Sequence, residues 1–247
     1  MSAGPTAVPT TFGDAMVALR SKQKTSKGAP AYSRLVNRRL GRVFAATAYV
    51  LHLTPNQVTC VSALFTFGGI ATIALVDPTV GSAVAVCLLL VIGYALDAAD
   101  GQLARLRGGG SVSGEWLDHA VDSVKLASIH LAVLVNWYRF DHFSNVRLVV
   151  PIVFQIVASV LFFVIILNDQ LRRAHRGSAA MILQGEGRSS TLYSLAVVPT
   201  DYGLLCLVFV LLAWHQVFFW VYTALMVANL AFLLLALAKW YREMLSY

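Results

Sequence analysis

Four aspartates, Asp97, Asp100, Asp118 and Asp122, fall within 26 residues of a 247-residue chain. On helices, Asp97 and Asp100 are spaced i, i+3 and Asp118 and Asp122 i, i+4, so each pair shares one face. Two such faces brought together make a pocket of carboxylate oxygens. That is the donor set for a hard divalent cation such as Mg2+ or Mn2+. The surrounding residues are apolar enough to lie in a membrane, where an ionisable group is costly and needs a compensating partner. Gly101, Ala104, Arg105 and Gly114 punctuate the aspartates. Gly101 and Ala104 leave room beside the carboxylates, and Arg105 offers a planar donor fork for phosphate. Gly114 lets the second helix begin close to the first.

The elements that must position these groups follow from composition. The chain is 58% hydrophobic and only 13% charged, with a mean hydropathy of +0.70. A soluble domain carries about a quarter charged residues, so a polytopic membrane protein is expected. Spans of about 20 apolar residues are predicted at 57–76, 80–104, 113–138, 147–170, 200–214 and 216–240. The last two come from one long apolar stretch, and the break between them is placed near Trp214-His215-Gln216. Residues 31–53, with Arg34, Arg38, Arg39 and Arg42 opposite an apolar face, read as an amphipathic helix in the interface. Residues 1–30 read as a flexible polar tail with one short helical turn near Phe12 to Leu19, and with no hydrophobic leader segment. The fold class is therefore all-α: six membrane helices behind an interfacial helix, forming a single domain over 31–247.

The net charge of +7 has a distribution that explains it without nucleic acid. Sixteen of the nineteen Lys and Arg fall before residue 43, after the second and fourth spans, or at the chain's end. Arg139 and Arg147 lie on the other side, and Lys125 lies inside the third span. By the positive-inside rule both termini and the four aspartates face the cytoplasm. The short Gly-rich loop from Arg105 to Ser113 keeps the second and third spans adjacent and antiparallel. Cys60, Cys87 and Cys206 stand singly in apolar runs and read as buried hydrophobes. Glu115 suits a helix start, and Trp214, Trp220, Trp240 and Tyr241 suit an aromatic belt.

From Asp97 to Asp122 the order is D-x2-D-G-x2-A-R-x8-G-x3-D-x3-D. At all eight fixed positions this resembles the signature of the CDP-alcohol phosphotransferase (phosphatidyltransferase) family. The resemblance implies an integral-membrane enzyme that moves a phosphoalcohol from a CDP-alcohol to an acceptor hydroxyl and releases CMP. It implies Mg2+ or Mn2+, two ions in all, held by Asp97, Asp100, Asp118 and Asp122, with Asp122 also the general base. Thr54-Pro-Asn-Gln-Val-Thr59 is similar to the segment that opens the family's first span, which places Asn56, Gln57 and Thr59 at the nucleotide with Gly101, Ala104, Arg105 and Gly114. Arg107-Gly-Gly-Gly-Ser111 resembles the loop of phosphatidylinositol-phosphate synthases and adds Ser111. Phosphatidyl transfer from CDP-diacylglycerol, in phospholipid biosynthesis, is the leading pairing.

The alternative is a soluble donor such as CDP-inositol, because Tyr32 to Arg39 is similar to members that use one. For the acceptor the candidates are Lys125, Arg172 and Arg188. Lys125 also fits pairing with a motif aspartate or snorkelling, and the arginines fit the positive-inside bias. Gln184-Gly-Glu-Gly-Arg188 departs from the regular Arg/Glu/Pro pattern of the inositol-phosphate enzymes, which counts against an inositol-phosphate acceptor. The family also implies a possible homodimer. Intramembrane aspartates could instead mark a divalent-cation pathway, but their clustering at one mouth argues for the transferase.

Overall fold

The computed structural model describes residues 9–21, 32–141, 145–176 and 198–245, which hold helices and turns and no strand. The helices are α1 (Phe12–Ser21), α2 (Arg38–Val50), α3 (Pro55–Leu75), α4 (Val80–Leu106), α5 (Val112–Asn136), α6 (Asn145–Arg176), α7 (Tyr202–Val208) and α8 (His215–Met244). A π-helical turn, Ser33–Asn37, leads into α2, and a second one, Trp137–Asp141, extends α5. A 3-10 turn, Phe209–Leu211, follows α7.

The all-α architecture is as expected, but only four of the six expected spans are both long and apolar enough to cross a bilayer. These are α3, α4, the Asn145–His175 part of α6, and α8. α5 has the length, yet Glu115, Asp118, Asp122 and Lys125 interrupt its apolar run. The expected span at 200–214 is replaced by the short apolar stretch Tyr202–Leu211. The break sought near Trp214 is real, since α8 begins at His215. Large apolar side chains stand outward along α6 (Ile152, Ile156, Phe163) and α8 (Trp220, Leu234, Leu235). A surface of this kind suits lipid. The chain is a multi-pass membrane protein.

Local chemistry fixes the helix ends near the aspartates. Thr54 caps α3 in a capping box: its hydroxyl accepts from Gln57 N–H at 3.2 Å, and Gln57 Oε1 accepts from Thr54 N–H at 2.8 Å. α4 ends in a Schellman motif, with Gly109 N–H bonded to Ala104 O at 3.0 Å and Gly108 N–H to Arg105 O at 3.3 Å. Both glycines hold positive φ, 102° and 141°, which L side chains adopt at a cost. Ser111 then caps α5 by accepting from Gly114 N–H at 3.0 Å. The chain therefore reverses within a few residues, and α5 runs back beside α4.

Two apolar cores result. One gathers Trp137, Phe154, Phe209, Phe218 and Tyr222 among α3 to α8. The other gathers Ala45, Ala46, Ala99 and Leu103 where α2 meets α4. Within the expected tail, Phe12–Ser21 is a helix whose Ala15 and Leu19 are buried in this second core. Thr11 and Asp14 bond reciprocally at its start, and the Thr11 hydroxyl and backbone hold the Asp14 carboxyl below its ordinary pKa. Of the three cysteines, Cys206 is buried, Cys87 half-buried and Cys60 exposed, so the buried reading holds for Cys206 alone.

α3 and α4 approach closely because Gly93 has no side chain. A Cβ there would lie 2.2 Å from Thr66 Oγ1 and 3.1 Å from Thr66 N. Ser62 Oγ also donates to Gly93 O at 2.8 Å. Gly93→Ala is expected to destabilise the bundle by about 1–3 kcal/mol through overpacking. Thermal unfolding of the detergent-solubilised protein measures it, and an unchanged midpoint would contradict the packing argument.

Candidate active site

Asp97 and Asp100 sit nine and six residues before the last residue of α4, and Asp118 and Asp122 sit in the first half of α5. Antiparallel pairing of these stretches brings carboxylate oxygens of Asp97, Asp118 and Asp122 within 4.8 Å of one another. Asp100 stands apart from this trio. Its Oδ2 accepts from Thr59 Oγ1 at 2.6 Å, and the pair is buried between α3 and α4. A cavity of about 270 Å3 opens beside Asp97, Asp100 and Asp118 and is also lined by Gly101 and Arg105.

The acidic cluster carries its own counter-ion. Lys125 Nζ is 3.1 Å from Asp97 Oδ1 and 2.5 Å from Asp122 Oδ1, and it lies 5.6 Å from the centre of the Tyr202 ring. Only 3% of Lys125 is exposed. Of the readings open for this lysine, pairing with motif aspartates is the one observed, and no snorkelling toward water occurs. The convergence of three carboxylates and the all-oxygen donor set fit a hard divalent cation, with Asp97, Asp118 and Asp122 as its ligands.

The other expected residues have varied surroundings. Thr59 reaches the site through Asp100. Asn56 and Ser111 crowd Gly114, where a Cβ would lie 3.1 Å from Ser111 Oγ and 3.2 Å from Asn56 Oδ1. Gly101 leaves its face of α4 open, since a Cβ there would meet nothing closer than Arg105 Nη1 at 3.4 Å. Ala104 is buried nearby, and the Nε of Arg105 is a buried donor without a hydrogen-bond partner among the described residues. The Gln57 side chain is engaged in the α3 capping box, a role its S/T-x-x-Q spacing already signals. Arg172 forms a two-pronged ion pair with Glu243 of α8, its Nε 2.7 Å from Oε1. Arg188 lies outside the described residues. Glu115 binds Arg173 at 2.8 Å, tying the start of α5 to the end of α6. Ser33, Asn37, Arg38 and Tyr94 also line the cavity. The sequence alone does not single out Arg38, because an Arg-rich amphipathic stretch does not reveal which of its arginines turns inward.

With this geometry in view, the sequence pattern of the family described as CDP-alcohol phosphatidyltransferase matches residues 52–241. The chain belongs to that family. It is 33% identical over 103 residues to an archaetidylinositol phosphate synthase of Pyrococcus horikoshii, covering 40% of this chain and 50% of that protein. It is 32% identical over 109 residues to a phosphatidylinositol phosphate synthase of Corynebacterium glutamicum, covering 44% and 48%. The chain thus spans about half the length of the relatives it matches.

Removing the internal cation tests the electrostatic account. Lys125→Met should cost about 3–5 kcal/mol without divalent metal, because it leaves buried carboxylates uncompensated. Added Mn2+ should recover much of the loss. Thermal unfolding with EDTA and with Mn2+ measures both, and an equal loss in the two conditions would refute the account.

Proposed function

We propose that this chain transfers a phosphatidyl group from CDP-diacylglycerol to the hydroxyl of a polar acceptor, releasing CMP, at the cytoplasmic face of the cell membrane. The carrying observation is the convergence of Asp97, Asp118 and Asp122 within 4.8 Å, beside a cavity that Arg105 lines. Two Mg2+ or Mn2+ ions held there would neutralise the pyrophosphate and stabilise charge developing on the transferred phosphorus.

The chain's own residues supply the rest. Asp100, fixed by Thr59, completes the metal-facing carboxylates from the α3 side. Arg105 offers its guanidinium to a donor phosphate, and Gly101 and Ala104 leave room for the nucleotide against α3, where Asn56 lies. Asp122 takes the proton of the attacking hydroxyl. Lys125 holds the Asp122 carboxylate in place and, at this distance from both aspartates, acts on the reaction through them. The new bond joins the acceptor oxygen to the β-phosphorus of the donor. The bond from that phosphorus to the bridging oxygen breaks, and CMP leaves with that oxygen. The names of the two relatives favour an inositol phosphate as acceptor. Against it stands the Gln184 to Arg188 departure, in a segment outside the described residues. A soluble donor such as CDP-inositol is the second reading, favoured by Tyr32 to Arg39.

The polypeptide would cross the membrane six times, with α5 and the Tyr202–Leu211 stretch completing the bundle around the site. The basic groups at the ends of α4 and α6, brought together by the Arg173–Glu115 pair, support one cytoplasmic face. A homodimer is part of this reading.

Purified protein given Mn2+ or Mg2+, CDP-diacylglycerol and a panel of polyols and polyol phosphates is expected to release CMP and form a phospholipid seen by mass spectrometry. Asp118→Asn and Asp122→Asn should each lower the rate at least about a hundredfold, the scale of losing a positioned acid–base or metal-binding group. EDTA should abolish turnover. Divalent-cation flux through proteoliposomes with no CMP release would overturn the proposal.

A further inference from the structure

The ammonium of Lys125 has three donors to place. Two go to the motif, with Asp97 Oδ1 at 3.1 Å and Asp122 Oδ1 at 2.5 Å. On a further side lies the Tyr202 ring, its centre 5.6 Å from Nζ. That is within reach of the ring's negative face, and Lys125 is buried, where such a contact is worth most. Asp97 belongs to α4 and Asp122 to α5, whereas Tyr202 begins α7, far along the chain from the motif. Neither Lys125 nor Tyr202 is among the residues that line the cavity beside the aspartates.

The ring is held from behind. Its edge meets Tyr94 in a T-shaped contact, 5.2 Å between centres and 75° between planes. Tyr94 precedes Asp97 by three residues on α4, so the two share one face. Asp201, which is buried, caps α7 by accepting from Gly203 N–H at 3.0 Å, and it also accepts from Ser33 N–H at 3.1 Å. The Tyr32 ring closes over Gly203, where a Cβ would collide with it. Tyr32 in turn stacks on Tyr94, 6.4 Å between centres. Residue 202 is thus placed by contacts that do not involve Lys125.

Two carboxylates alone hold the ammonium weakly once a divalent cation also takes their oxygens, because like charges repel. The ring face is a contact that such a cation does not share. We propose that Tyr202 is a positioning residue for the reaction. Its ring keeps the Lys125 ammonium on Asp97 and Asp122, and the Asp122 carboxylate then stays aimed at the attacking hydroxyl. This rests on the transferase reading above.

Thermal unfolding of the full chain in detergent with EDTA tests the contact without turnover, as a double-mutant cycle. Tyr202→Leu should lower the midpoint by about 4–8 °C more in the unaltered chain than in Lys125→Met, the scale of one desolvated cation–π contact. Equal losses in the two backgrounds would mean that the ring packs without holding the lysine, and would overturn the proposal. Turnover tests the positioning. It is measured as CMP release with CDP-diacylglycerol, Mn2+ and the polyol or polyol phosphate that releases most CMP. Tyr202→Leu should lower kcat about ten-fold and leave the KM for CDP-diacylglycerol within about two-fold. Tyr202→Phe, which keeps the ring face, should restore most of kcat. Phenylalanine carrying one, two and three ring fluorines at position 202 should lower kcat stepwise, since fluorine draws charge from the ring face and hardly changes its size. This series carries the test if Lys125→Met does not fold. A flat series, or a loss that falls on the donor KM, would overturn the positioning role and leave the transferase standing. Absence of CMP from the unaltered protein would overturn the transferase reading and, with it, any role in turnover.

Discussion

Everything at this site depends on keeping carboxylates ionised in a place where water cannot solvate them well. Each buried charge costs several kcal/mol unless a partner offsets it. Lys125 supplies the internal offset by bridging Asp97 of α4 and Asp122 of α5. Its ammonium therefore ties together the two helices that carry the motif. Tyr202 beneath it brings in the start of α7 through a cation–π contact. The same convergence of carboxylates that is costly to fold makes the cluster receptive to divalent metal.

Holding that geometry in a bilayer requires helices that approach closely, since lipid tails give apolar faces little reason to leave them. Small residues at the crossings meet this need. Gly93 sits against Thr66 at the α3–α4 contact, and Gly41 sits against Ala98 and Gln102 at the α2–α4 contact. Both contacts lie within a few turns of the aspartates, so α2 and α3 are both held close to the part of α4 that carries them. Farther along, the aromatic core around Trp137 and Tyr222 closes the other end of the bundle, where His215 and Asp141 pair.

Much of this was legible in the sequence, for reasons of spacing. The aspartate pairs and their glycines recur at helical intervals, and long apolar runs announce α3, α4, α6 and α8 because each contains enough apolar residues on its own. The contacts that spacing does not reveal act across the fold. Thr59 bonds Asp100 over a gap of 41 positions, and no local pattern predicts which hydroxyl a buried carboxylate will find. Lys125 admitted three readings until the other helix was in place. The stretch at 200–214 is apolar enough to suggest a span, yet the segment breaks into α7 and a 3-10 turn. Hydropathy records composition and is blind to where backbone geometry changes. The short helical turn expected near Phe12 to Leu19 is a docked helix over Phe12–Ser21, whose buried residues Ala15 and Leu19 form too narrow a stripe to announce the docking.

The parts of the site are held to different degrees. The aspartates lie on two helices joined by a loop of a few residues, so their mutual positions are constrained by a single tight turn and by Lys125. α3 is likewise constrained, since Thr59 reaches Asp100 from a helix whose start is locked by Thr54, Pro55 and Gln57. Among the bonds that hold the α2 side of the cavity are Asn37 Nδ2 to Tyr94 O and Ser33 N–H to Asp201 Oδ2. Each pairs one side chain with one backbone group, so loss of the Asn37 or Asp201 side chain would loosen that side while the turn between α4 and α5 stays in place.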